Sequence, residues 1–247
     1  MKTLKNAMAS LALIADANRP VPVSEIGRKL GLPRSSASRL MASLRDGGMV
    51  EQDPETRRYH AGKLAWRLGV RHQPAGYDAD LISESLLNIT TTTGFTSWMA
   101  VLTGAEIVLL RQNQGVTPTQ FSVRLGQTLP AHATAIGKAM LSRLPDRAIL
   151  SLYEERLPEI TAQTITTRTE LLAELETIRR EKISFSHQEA FPGVISVGGA
   201  VFGAVSNCPL GVSISFPLSM GSPEDVAALL REELAAIGGK VGDAFWN

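Results

Sequence analysis

Apolar residues recur over the first fifteen positions at the i, i+3, i+4, i+7 spacing of one helix face: Leu4, Ala7, Met8, Leu11, Ile14 and Ala15. Asn18-Arg19-Pro20 ends that helix, because proline cannot continue the backbone ladder. A second helix is predicted to open on Ser24 as N-cap, with Glu25 in its first turn and Ile26 and Leu30 facing inward. Gly31 suits the left-handed position after it, and Pro33 opens a third helix with the stripe Ala37, Leu40, Met41 and Leu44. Arg34, Ser35, Ser36, Ser38 and Arg39 fall largely off that stripe, and Gly47-Gly48 stops the helix. Residues 49–52 and 57–60 then read as two strands around the turn Asp53-Pro54-Glu55-Thr56. A helix, a helix-turn-helix and a basic hairpin in that order make a winged helix-turn-helix. In such a unit the start of the second helix of the pair reaches base edges, and Arg57 and Arg58 on the hairpin can neutralise phosphates.

The pattern continues with a helix over 63–71 and a short polar joint. A helix is predicted over 78–93, with Leu81, Ile82, Leu86 and Ile89 buried, followed by strands over 95–102 and 106–112 around Thr103-Gly104. A strand over 120–123, helices over 132–144, 146–156 and 169–181, strands near 183–188, 194–202 and 211–216, and a helix from Ser222 complete the chain. Strands flanking a helical middle predict an antiparallel sheet with helices on its face, an α+β layer. Ala190 to Pro223 contains no Asp, Glu, Lys or Arg, and about 20 apolar residues would suffice to span a membrane. Pro192, Asn207, Pro209 and the turn-like Ser206-Asn207-Cys208-Pro209 instead favour two strands buried on both faces.

Charge divides the chain in the same place. The formal net charge of the 247 residues is only +1, yet residues 1–72 carry 13 Lys+Arg against 6 Asp+Glu, and residues 73–247 carry 12 against 18. A basic head joined to a larger acidic piece implies two domains with different partners, the head suited to a polyanion. With 44% apolar residues the chain is neither disordered nor low in complexity. A single cysteine, Cys208, excludes an internal disulfide framework and a cysteine-cluster zinc site. Asp16 interrupts the N-terminal apolar stretch, so no secretory signal is expected and a cytoplasmic location is. His60, His72, His132 and His187 lack metal-ligand spacing. His132 stands where a phosphate-cradling loop ending in Gly137-Lys138 would need glycine, and no GxSxG elbow is present. No catalytic residue, metal or cofactor is expected.

The stretch VSEIGRKLGLPRSSASRLMASLRDGGMVEQDPETRRYHAG resembles the DNA-binding domain of the IclR family of bacterial transcriptional regulators. The likeness continues through LPAHATAIGKAM, HQEAFPGVISVGGAVF and LGVSISFP, so it covers nearly the whole chain. It implies a winged helix-turn-helix over 1–62, a linker helix and joint over 63–77 that helps pair two chains, and a GAF-like effector-binding domain over 78–247. It further implies operator contacts from Arg34, Ser35, Ser36 and Arg39, and phosphate contacts from Ser24 and Arg58. The effector pocket would be lined by Phe121, Leu129, Ala135, Ile136, Ser186, Val194, Ser196, Ser213 and Ser215. Alternation in Val212-Ser213-Ile214-Ser215 independently puts both serines on one strand face. Small residues in LPAHATAIGKAM let a helix start approach a ligand, where free N–H groups suit an anion. At Ser186-His187-Gln188 the chain departs from the acidic residues frequent in the family, and only Glu189 keeps that character.

These features predict a ligand-responsive regulator that binds a roughly palindromic double-stranded operator as a homodimer or a dimer of dimers. Its effector would be a small organic acid or an aromatic metabolite. Two alternatives stand beside it: an enzyme acting through the 121–215 region with the head as a tether, and an architectural DNA binder without effector.

Overall fold

The computed structural model describes residues 2–17, 19–71, 77–118, 123–202 and 209–246, in two compact units, 1–73 and 74–247. The first contains α1 (Lys2–Asp16), α2 (Val23–Lys29), α3 (Arg34–Asp46), β1 (Val50–Gln52), β2 (Tyr59–Ala61) and α4 (Lys63–Arg71). Its core is Ile14, Val21, Ile26, Met41, Val50 and Tyr59. Only part of the predicted α1 stripe is buried. Ile14 and Leu11 pack inward, whereas Leu4 and Met8 are 64% and 60% exposed and Ala15 faces solvent. The first turns of α1 border an open groove along α3, and Leu4 on its edge stays exposed.

Ser24 does not cap α2. The helix starts two residues earlier, with extended Pro22 in the cap position and no side-chain cap, which leaves Ser24 exposed within the first turn. The cause lies just upstream. Val21 pairs with Tyr59 through two backbone hydrogen bonds of 2.8 Å, so the chain leaves that bridge extended and can turn only at Val23. This bridge adds a third short segment to the β1–β2 hairpin and ties it to the α1–α2 connection. Gly31 follows α2 at φ 62°, the left-handed conformation anticipated for it.

The second unit is a six-stranded antiparallel sheet of order β5-β4-β3-β8-β7-β6. Its strands are β3 (Thr96–Thr103), β4 (Glu106–Asn113), β5 (Thr128–Pro130), β6 (Ser184–His187), β7 (Val194–Phe202) and β8 (Pro209–Pro217). The short edge strand β5 was not anticipated. Residues 120–122 of the predicted 120–123 strand lie outside the described residues, as do Ser206 to Cys208 of the predicted turn. Pro209 belongs to β8 rather than to a turn. The uncharged run thus supplies β7 and β8, at the middle of the sheet and buried on both faces. Among the described residues no helix is long and apolar enough to cross a membrane.

Alternation sorts side chains to two layers. Met99, Val197, Val201, Val212, Ile214 and Phe216 meet α5 (Tyr77–Thr93) and α9 (Pro223–Val241). Trp98, Ala100, Ile107, Leu109 and Ala200 meet α6 (Ala135–Ser142), α7 (Asp146–Leu152) and α8 (Arg168–Glu181). The single helix predicted over 132–144 is a 3-10 turn at 131–133 followed by the shorter α6, and α7 ends at Leu152 instead of 156. Gly198 and Gly199 permit the tight layering. A Cβ on Gly198 would lie 2.6 Å from the Ala135 carbonyl carbon, and one on Gly199 would lie 2.2 Å from Leu234 Cδ1.

Every residue of α6 is buried. Its C-terminal end is clamped by Arg143, which donates to Asp243 at 2.7 and 2.9 Å and to the Ala200 carbonyl at 3.0 Å. The Phe245 ring packs 4.1 Å from the guanidinium. Asp243 also accepts the Phe202 N–H at 2.8 Å. Burial works to raise the Asp243 carboxyl, but Arg143 and the backbone donors outweigh it and hold the group below the ordinary aspartate range.

Candidate functional site

Two surfaces carry the residues singled out in the sequence. On the first unit, Arg34, Ser35, Ser38 and Arg39 are exposed on the N-terminal half of α3, opposite the buried Ala37 and Met41. Ser36 differs: it is half-buried and turned towards α1, bordering a groove with Thr3, Leu4 and Ala7. Arg57 and Arg58 are exposed at the end of the hairpin turn, just before β2, and Arg57 takes φ 57°. The turn is built by Asp53. Its carboxylate accepts the backbone N–H groups of Glu55 and Thr56 at 3.1 and 2.6 Å and the Thr56 hydroxyl at 2.8 Å. Those donors, Thr56 foremost, hold the Asp53 carboxyl below its usual range. The Arg57 carbonyl accepts from the Gln52 side chain at 3.0 Å, which completes the strap.

The second surface is a cavity between the sheet and the start of α6. It is lined by eight of the nine residues expected from the resemblance: Leu129, Ala135, Ile136, Ser186, Val194, Ser196, Ser213 and Ser215. The ninth, Phe121, lies outside the described residues. Strand register explains the grouping. Ser186 pairs with Ser196, Ser196 with Ser215, and Ser215 with Thr96, which makes a row of hydroxyl residues across four strands. The next row on the same face runs Ser184, Gly198, Ser213 and Trp98.

The serines are not equivalent. Ser186 donates to the Ala133 carbonyl at 3.1 Å, and Ser196 and Ser215 bond to each other at 2.8 Å. Ser213 is 3% exposed and lines the cavity. Beside it, Thr134 caps α6 by accepting the Gly137 N–H at 3.1 Å, while Ala135 and Ile136 open the helix, where N–H groups lack intrahelical acceptors. This end of the cavity is rich in hydrogen-bond donors. The rest of the lining is apolar, with Trp98, Ile107, Leu109, Val123, Leu129, Phe191 and Val194. Trp98, Ile107 and Leu109 escaped sequence reasoning, although period-2 spacing puts each of them on the serine face of its strand.

None of the described lining residues is ionisable. Glu189, the one acidic residue expected nearby, is turned away from the cavity. Its carboxylate accepts from Lys138 Nζ at 2.8 and 3.0 Å, and Glu174 accepts from the same ammonium at 3.1 Å. Burial pushes the Glu189 carboxyl above its usual range, and Lys138 only partly offsets this. His132 is also committed elsewhere. Its Nε2 lies 2.9 Å from the Pro158 carbonyl and its ring stands edge-on to Tyr153. Burial lowers the affinity of its imidazole for a second proton. His187 faces away from the cavity, stacked on Phe185. Cys208 lies outside the described residues.

Two families of sequence features meet these two surfaces. Residues 3–54 match the IclR helix-turn-helix domain, and residues 80–241 match the bacterial transcriptional regulator IclR C-terminal domain. The chain belongs to the IclR family of bacterial transcriptional regulators. Among its relatives, the transcriptional repressor IclR of Escherichia coli K12 is 27% identical over 222 residues, covering 89% of this chain and 81% of that protein. The repressor AllR of the same organism is 28% identical over 224 residues, covering 88% of this chain and 81% of AllR. The crystal structure of Thermotoga maritima IclR superposes with a TM-score of 0.71 at 28% identity, covering 98% and 99% of the two chains. An IclR homologue from Microbacterium hydrocarbonoxydans, complexed with 4-hydroxybenzoate, shares the fold at a TM-score of 0.80 and 18% identity, covering 98% of this chain and all of that one. This IclR-family chain therefore pairs a helix-turn-helix DNA-binding domain with the α+β C-terminal domain of the family.

Proposed function

We propose that this IclR-type protein is a cytoplasmic, non-enzymatic regulator whose C-terminal cavity holds a small monocarboxylate with an apolar or aromatic body. The observation that carries this reading is the group of serines, Ser186, Ser196, Ser213 and Ser215, that lines the cavity beside the opening turn of α6. A carboxylate there would accept from Ser213, from the free proton of the Ser196–Ser215 pair and from the helix start, which also favours negative charge. Its body would lie against Trp98, Leu109 and Phe191. Because 4-hydroxybenzoate occupies the Microbacterium homologue, it is the first probe. Isothermal titration should give saturable binding to the wild-type protein and roughly tenfold to hundredfold weaker binding to Ser213→Ala, the loss of one hydrogen bond to a charged group. DNA binding by that variant should be unchanged. Equal affinity in the two proteins would remove Ser213 as the anchor.

On the DNA side, two α3 helices would enter major grooves of a palindromic operator about 34–36 Å apart or a multiple of that. Arg34, Ser35, Ser38 and Arg39 would meet base edges, with Ser36 closer to the α1 side. Ser24, Arg57 and Arg58 would meet phosphates. On α4 the face of Leu64, Ala65 and Leu68, with Leu68 53% accessible, offers an apolar stripe for pairing two chains. Replacing both Arg57 and Arg58 with alanine should lower the slope of log affinity against log salt by about 2, because each phosphate contact contributes roughly 0.9. A slope unchanged within error would take the hairpin off the duplex.

A further inference from the structure

Lys138 and Glu189 form a buried ion pair that the ligand reading above does not use. Lys138 is 1% exposed and Glu189 6%. Such a pair adds little net stability, since desolvation offsets most of the attraction, and its effect is to fix geometry. What it joins is specific. Lys138 lies one turn into α6 from Ala135, the residue that opens the donor-rich end of the cavity. Glu189 immediately precedes Ala190 and Phe191, which line its wall. The rest of that loop is braced independently. Gln188, at φ 62°, accepts the Gly193 N–H through its side chain at 2.9 Å. The hydroxyls of Thr161 and Thr164 bind the carbonyls of Gln188 and Glu189 at 2.8 and 2.7 Å. Of these ties, the ion pair is the one that links the wall to α6.

We propose that Lys138 and Glu189 are a positioning pair that determines ligand specificity, setting the aromatic wall at a fixed distance from the carboxylate-binding start of α6. The pair thereby selects monocarboxylates that carry a ring over shorter ones. This rests on the cavity being a carboxylate receptor, and the experiment separates the two. Full-length protein is titrated calorimetrically with 4-hydroxybenzoate and, at millimolar concentration, with propionate, which carries no ring. In Glu189→Gln, Lys138 keeps Glu174 as a counter-charge, so the fold is preserved. The double variant Lys138→Met/Glu189→Met leaves no charge unpaired and gives a second test.

In both variants 4-hydroxybenzoate affinity should fall tenfold or more while propionate affinity changes less than twofold. Glu189→Asp, which keeps the charge, should recover part of the loss. An equal fall for both ligands would mean a general loss of the pocket and would overturn the proposal, as would no change for either. Wild-type protein that binds propionate but not 4-hydroxybenzoate would also overturn it while leaving the receptor reading intact. Wild-type protein that binds neither would overturn the receptor reading and this proposal together, before any variant is compared.

Discussion

Arg143→Ala is expected to destabilise the C-terminal unit by about 3–5 kcal/mol, the cost of stranding a buried charge by removing its partner. Asp243 would keep only backbone donors in a setting from which water is largely excluded. The Ala200 carbonyl would still accept from Trp246 Nε1 at 3.0 Å, so the damage should centre on Asp243. Thermal unfolding should show the midpoint of this unit lowered by about 10 °C, at roughly 2–4 °C per kcal/mol for a unit of this size. Arg143→Lys should fall between, because an ammonium lacks the planar fork that meets both carboxylate oxygens. A midpoint within a degree of wild type would mean that Arg143 carries no such role. Acidification reads out the same contact. A carboxyl held below its ordinary range in the folded state stabilises fully above the unfolded value, and that contribution is lost as pH falls through the lower folded value. Asp243→Asn should therefore flatten the acid limb of the stability profile relative to wild type.

The second large effect concerns the duplex. Arg34→Ala combined with Arg39→Ala is expected to weaken specific binding by about thirtyfold or more, since each good contact between a side chain and a base is worth about 1–3 kcal/mol. Both residues are exposed and neither belongs to the core of Ile26, Met41 and Val50, so circular dichroism and the unfolding midpoint should not move. The measurement is fluorescence anisotropy, at one fixed salt concentration, on duplexes selected from a random pool by the wild-type protein. Retained affinity would move recognition off this half of α3.

What the sequence disclosed and what it withheld follow from the range of the interactions involved. The helix-turn-helix was legible because its signals are local: Gly31 at the turn, Pro33 before α3 and the stripe centred on Ala37 and Met41. Ser213 and Ser215 could be assigned to one face from alternation alone. That Ser215 bonds to Ser196 while Ser213 is left beside Trp98 depends on the pairing of β3, β7 and β8, which no window of sequence contains. Ser24 failed as a cap because the bridge from Val21 to Tyr59, a residue on the far side of the helix-turn-helix, dictated where the backbone could turn. Lys138 stands in a small-residue helix, with no local sign that it is buried. Its counter-ion is 51 positions away, and composition gives no sign of it. The apolar stripe of α1 is a true helical pattern, but a pattern does not say whether a second surface exists to cover it.

The Asp53 strap has a consequence for the docking of the wing. Its four-residue turn is already closed by three bonds to one carboxylate, with Arg57 set in the left-handed conformation before any nucleic acid is met. A loop that arrives in order gives up little conformational entropy on contact, so less of the gross attraction between arginine and phosphate is offset by freezing torsions. On the proposed reading, Arg57 and Arg58 would reach phosphates from a backbone already in order, and more of their attraction would go into residence on the duplex.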